Sequence, residues 1–117
     1  MLLGDLFIRE GFRVDVATDG AAAITFLEHN DPPSAILLDL LMPGIGGYAV
    51  LKELRRASPN RATPVVIISV LEDKATQNRC MKAGANAYVV KPVDRSALAA
   101  TVRAQIAGRA KPKARRT

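Results

Sequence analysis

Ala35-Ile36-Leu37-Leu38-Asp39 is a continuous apolar run that ends on a carboxylate, and two later stretches repeat its form. They are Pro64-Val65-Val66-Ile67-Ile68-Ser69 and Ala87-Tyr88-Val89-Val90-Lys91. Short runs without polar alternation suit strands covered on both faces. Helical patterns separate them: Gly47 to Ala57, Glu72 to Ala83 closed by Gly84, and Ser96 to Ala107 behind Asp94 as a cap. Strands alternating with helices predict an α/β fold, a parallel sheet with helices on both faces.

Upstream of the first run the pattern continues less cleanly. Residues 1–10 read as the end of an amphipathic helix, with Leu2, Leu3, Leu6 and Phe7 on one face and Gly11 as its stop. Phe12-Arg13-Val14-Asp15-Val16-Ala17 alternates with period two and predicts a half-exposed strand. Thr18 or Asp19 then caps a helix carrying Ala22, Ala23, Phe26 and Leu27, and Asp31-Pro32-Pro33 breaks it.

In parallel α/β sheets, ligands sit beyond the carboxyl ends of the strands. That rule selects Asp39, Ser69 and Lys91, the residues that end the three buried runs. A carboxylate there serves as nucleophile or metal ligand, while a hydroxyl and an ammonium hold the oxygens of an anion attached to it. Phosphoryl transfer to Asp39 is the chemistry this set favours.

Composition bounds the alternatives. At 117 residues the chain makes about one small domain, and 49% apolar residues with no Trp predict an aliphatic core. No apolar run approaches the roughly 20 residues that span a bilayer, so no membrane partner is expected. No leader pattern stands at the N-terminus, and the lone Cys80 excludes an intrachain disulfide, so a cytoplasmic setting is expected. The net charge of +6 is a property of the tail. Arg103, Arg109, Lys111, Lys113, Arg115 and Arg116 follow Val102 with no acid among them, and the rest of the chain is balanced. Nucleic-acid contact is therefore expected only through that tail. His29 near a helix end and Cys80 without a companion ligand predict no chemistry. The glycines at 44, 46 and 47 permit a tight loop and form no dinucleotide fingerprint.

At this point the chain resembles a family. Asp39-Leu40-Leu41-Met42-Pro43-Gly44-Ile45-Gly46-Gly47 is similar to the phosphoacceptor loop of response-regulator receiver domains. Val66-Ile67-Ile68-Ser69 resembles the strand that ends in their switch hydroxyl, and Ala83 to Pro92 resembles their Gly-Ala turn, switch aromatic and Lys-Pro pair. Gly11 and Asp19-Gly20-Ala21 also match the usual pattern, so the resemblance covers roughly residues 1–107.

The resemblance implies a flavodoxin-like doubly wound sheet in the order 2-1-3-4-5, of the chemotaxis-regulator kind. It implies Asp39 as phosphoacceptor, Lys91 as ligand of the acyl phosphate, and Ser69 and Tyr88 as switch residues. The backbone carbonyl of Leu41 would join Asp39 on a magnesium ion, and Lys91-Pro92 would be cis. The phosphodonor would be a histidine kinase or a histidine phosphotransfer protein, and the chain itself would not be an enzyme. The receiver would occupy residues 1–109, with a basic flexible tail at 110–117.

The departures carry expectations of their own. Aligning Gly11 with the family's first helix end places the family's opening strand, and the adjacent acids after it, before Met1. Asp5 is the one nearby acid and falls within the helix. Magnesium is then expected to be weak or absent, and open strand edges favour self-association. Val70, Leu41 and Leu71 flank the site with apolar bulk and predict slow attack by water. A receiver used only as a phosphorylation-independent interaction module stays open as the alternative.

Overall fold

The computed structural model describes residues 3–42, 44–56 and 59–110. Strands β1 (Ile36–Asp39), β2 (Val65–Ser69) and β3 (Ala87–Val90) form one sheet in the order β1-β2-β3. Both pairings are parallel, from Ile36 beside Val65 to Asp39 beside Ile68, and from Val66 beside Ala87 to Ser69 beside Val90. Helices α1 (Leu3–Arg9), α2 (Gly20–Glu28), α3 (Gly47–Arg56), α4 (Lys74–Lys82) and α5 (Arg95–Ala110) complete the described elements.

Strand β2 explains the layering. Its side chains alternate between faces, as the pleat requires. Val65 and Ile67 enter one core with Leu27 of α2, Val50, Leu51 and Leu54 of α3, and Cys80 of α4. Val66 and Ile68 enter a second core with Leu6 and Phe7 of α1 and Leu98, Ala99 and Val102 of α5. All five β2 residues are buried, so an uninterrupted apolar run is the only sequence that suits both faces. Each buried Val, Leu or Ile contributes about 1.5–3 kcal/mol.

The caps follow the sequence. Asp19 accepts from the Ala22 amide at 2.8 Å, and Asp94 accepts from the Ala97 amide at 3.0 Å. Asp73 caps α4, accepting from the Thr76 amide at 2.9 Å and the Thr76 hydroxyl at 2.7 Å. This cap starts the helix at Lys74, two residues after the expected Glu72.

The expected strand at Phe12–Ala17 does not form. These residues belong to no sheet among the described residues. Phe12 and Val14 do pack on the second core, while Arg13, Asp15, Val16 and Ala17 are exposed. A period-two pattern positions side chains, but a strand also needs a neighbour about 4.8 Å away to receive its backbone hydrogen bonds. Among the described residues no strand pairs with this stretch. Its anchors are instead Phe12 N–H to Phe7 O at 2.9 Å, an edge-on Phe7–Phe12 contact, and Arg103, whose guanidinium lies over the Phe12 ring and bonds the Glu10 carbonyl and carboxylate. The sheet therefore shows three of the five strands that the 2-1-3-4-5 order names, within the α/β fold that was expected. Pro43 and the basic residues from Lys111 onward lie outside the described residues.

Candidate functional site

Parallel pairing brings the carboxyl ends of β1, β2 and β3 to one edge, and with them Asp39, Ser69 and Lys91. The Lys91 amide donates to the Ser69 carbonyl at 2.8 Å, which extends the ladder one residue past β3 and directs the chain back over the site. The Lys91–Pro92 peptide bond is cis.

At this edge the Lys91 ammonium donates to Asp39 Oδ2 at 2.9 Å. The other carboxylate oxygen, Oδ1, accepts from the Leu41 amide at 3.0 Å. Both side chains of the ion pair are partly exposed, at 38% for Lys91 and 41% for Asp39, so the carboxylate is held in place yet open to a reactant. Gly47 makes the local loop possible. A methyl group there would collide with the Asp39 carbonyl oxygen, and the Gly47 amide itself bonds the Leu40 carbonyl at 2.9 Å. A side chain at position 47 would push α3 away from the end of β1.

Ser69 is buried, and its Oγ accepts from the Leu71 amide at 3.1 Å. The Tyr88 hydroxyl donates to the Leu71 carbonyl at 2.7 Å, and the ring packs against the first core. Both switch candidates are thus tied to one residue of the loop after β2. By sequence Leu71 is only an apolar flank of the site. Its role here lies in backbone groups, which no residue type announces. Leu41 and Val70 are more than half exposed and form an apolar rim beside the site.

Of the residues set aside earlier, His29 makes a 2.7 Å contact from Nδ1 to the Thr25 carbonyl at the end of α2. Cys80 is 1% exposed in the first core, and burial pushes its thiol pKa up, against the opposing pull of Arg79. A thiol in that setting is inert.

For a magnesium ion the described residues at this edge offer the Asp39 carboxylate, which the resemblance would have share the ion with the Leu41 carbonyl. No group of three or more His, Cys, Asp or Glu is placed to hold a metal among the described residues, and Asp5 is exposed on α1. Magnesium wants six oxygens in near-ideal geometry. One carboxylate already paired with a lysine fits that demand poorly.

Residues 1–103 match the family described as the response regulator receiver domain. The chain belongs to this family. The receiver is 37% identical over 93 residues to a probable transcriptional regulator, ycf27, of Galdieria sulphuraria, covering 80% of this chain and 35% of the relative. It is 35% identical over 94 residues to the response regulator PleD of Caulobacter vibrioides, covering 80% of this chain and 20% of the relative. The receiver thus spans about a third or less of these curated relatives. A solved relative is the receiver domain of the sensor histidine kinase PA1611 from Pseudomonas aeruginosa, with a magnesium ion coordinated in its active-site cleft. It is 27% identical, with a TM-score of 0.79 over 88% of this chain and 84% of that one. Among the described residues of the receiver, no helix is long and apolar enough to cross a membrane.

Proposed function

We propose that this receiver accepts a phosphoryl group on Asp39 from a phosphohistidine of a histidine kinase or histidine phosphotransfer protein. The observation that supports it most is the Lys91–Asp39 pair at 2.9 Å, set where three strand ends meet. An Asp39 carboxylate oxygen attacks phosphorus, the phosphorus–nitrogen bond breaks, and its electron pair leaves with the imidazole. An acyl phosphate and a neutral histidine result. Lys91 follows the charge from the carboxylate to the phosphoryl oxygens, and Ser69 donates its hydroxyl proton to one of them while still accepting from Leu41's counterpart in the next loop, Leu71. The chain then acts as recipient and relay of the group, not as an enzyme with turnover of its own.

Receivers of this family work with magnesium, which neutralises the phosphoryl oxygens when bound. Here Asp39 and the Leu41 carbonyl would be its protein ligands, with water for the rest, and weak affinity is expected. The kinase or phosphotransfer protein, the cytoplasmic setting and self-association belong to the same proposal. Cys80 as a buried thiol supports a reducing compartment.

Acetyl phosphate with magnesium tests the reading. One acid-labile phosphoryl group per chain is expected, none in Asp39→Asn, and a reduced yield in Lys91→Ala. Undiminished labelling of Asp39→Asn sinks the assignment. A wild-type chain that takes no label yet still binds its partner is instead the phosphorylation-independent module, a reading favoured by the sparse metal ligands. Once formed, the acyl phosphate should be long-lived, because Leu41 and Leu71 offer no side-chain hydrogen bond to an attacking water and Val70 adds bulk beside them. Leu71→Asn should shorten its lifetime; an unchanged or longer lifetime removes the flanking residues from the explanation.

A further inference from the structure

Along α3, with Ala83 at the C-terminal cap of α4 closing one side, runs an open groove of about 550 Å³. Tyr48, Ala49 and Ala83 form its floor, and Lys52, Arg55 and Arg56 stand along it. Glu53 is the one acid in its lining, and it pairs with Arg56 at 3.4 Å. Three other cations have no carboxylate partner among the described residues. Lys52 lies 5.3 Å from the centre of the Tyr48 ring, and the Arg79 guanidinium of α4 lies 4.2 Å from it. Arg55 is held by neutral oxygens: the Gly84, Asn60 and Arg61 carbonyls and the Asn86 amide oxygen. Gly84 at φ +112° is pressed against this side chain, because a Cβ there would meet Arg55 Cγ at 2.8 Å. The result is a positive wall in which, among the described residues, Arg56 alone has a carboxylate partner.

We propose that this groove docks an acidic helical segment of a partner protein. Ten residues of α3 run about 15 Å, enough to lie against about ten residues of a second helix. Lys52 and Arg56 are one helical turn apart, so acids four residues apart on a partner helix would face both. Small side chains on the groove floor let that helix approach, and an alanine or leucine between the acids fills the space beside Tyr48. A second copy of the chain is a poor occupant. Its own helices carry few acids, with Asp5 alone on α1, Glu28 alone on α2 and Glu53 within the groove itself. Nucleic acid is disfavoured because the Tyr48 ring already holds two cations and is not free to stack a base. Asp39, Ser69 and Lys91 are not among the residues that line the groove, and the proposal stands whether or not Asp39 is phosphorylated.

The test uses the full chain and a labelled helical peptide with glutamates four residues apart and leucine between them, followed by fluorescence anisotropy. Binding is expected, weakened about tenfold or more by Lys52→Glu with Arg79→Glu, and weakened by salt. Arg13→Glu, a charge reversal on the opposite part of the molecule, should leave it unchanged. If the double variant does not fold, Lys52→Gln alone and amide shift mapping on the wild type carry the same question, with α3 and α4 as the expected footprint. Any of four results overturns the proposal. These are no binding, equal binding of a glutamine version of the peptide, displacement by a short single-stranded oligonucleotide or inorganic phosphate at equal concentration, and a footprint outside α3 and α4. Concentration-dependent dimerisation abolished by the same charge reversals also overturns it, by making a second copy the occupant.

Discussion

Strand β2 and the stretch Phe12–Ala17 are both rich in β-branched and apolar residues, and the molecule treats them in opposite ways. Strand β2 has a parallel partner on each side and a helical layer over each face, and none of its five residues is exposed. Phe12–Ala17 lays two side chains on the α1–α5 core and leaves Val16 79% exposed. The side chains of the two stretches differ less than their backbones do. A strand is completed by neighbours that take its N–H and C=O groups, and residue type alone does not supply them.

That contrast is open to measurement, and the largest effect belongs to β2. Ile67→Ala should lower the unfolding free energy by about 2–5 kcal/mol through lost burial and the cavity left behind. Val16→Ser should change it by less than about 0.5 kcal/mol, as exposed substitutions do. Urea denaturation of both variants makes the comparison. A cost at Val16 that rivals the cost at Ile67 would mean that the N-terminal stretch is packed in solution.

A smaller gain is expected from completing the sheet. The Ile36 amide bonds Pro64 and the Leu40 amide bonds Ile68, so the backbone groups of Leu37 and Asp39 between them face away from β2. An apolar strand followed by two adjacent acids, added ahead of Met1, should pair with these groups. At about 1 kcal/mol per hydrogen bond, pairing the two N–H groups alone would raise stability by about 2 kcal/mol. The same addition should tighten magnesium binding. Denaturation and a magnesium titration of both versions decide it, and equal values would show that the β1 edge needs no partner.

The smallest effect concerns the anchor of the N-terminal stretch. Arg103→Ala removes two bonds to Glu10 and the contact with the Phe12 ring, all partly exposed. A loss of about 0.5–1 kcal/mol is expected. Amide exchange should rise around residues 10–14 and stay unchanged in β2. Faster exchange throughout β2 would place Arg103 in the global core instead of at a local clasp.

Much of this was legible along the chain for definite reasons. The three apolar runs announced strands, although only β2 is buried throughout: β1 has Leu38 alone buried and β3 is partly buried along its length; the ends of the runs announced Asp39, Ser69 and Lys91 because parallel strands share one carboxyl edge. Asp19 and Asp94 announced helix starts because a short acceptor satisfies a free amide locally. Phe12–Ala17 misled because its alternation describes one face of a strand and is silent about the neighbour. The Arg55 anchors, the two bonds on Leu71 and the groove beside Tyr48 left no signal. Arg55 and Gly84 are far apart in sequence, and the acceptors involved are mostly backbone carbonyls that every residue carries.

The amino-acid order by itself determined which segments form the sheet and which three side chains stand at the strand ends, because both follow from local periodicity and one topological rule; that β2 is the one fully buried strand of the three followed from its place between β1 and β3. Only the tertiary structure decided that Asp39 has both oxygens engaged, by Lys91 and by the Leu41 amide, that Ser69 and Tyr88 meet at Leu71, and that Lys52 and Arg79 meet at the Tyr48 ring without a carboxylate partner among the described residues. Those outcomes depend on distances between segments far apart in the chain, which packing sets and local sequence does not.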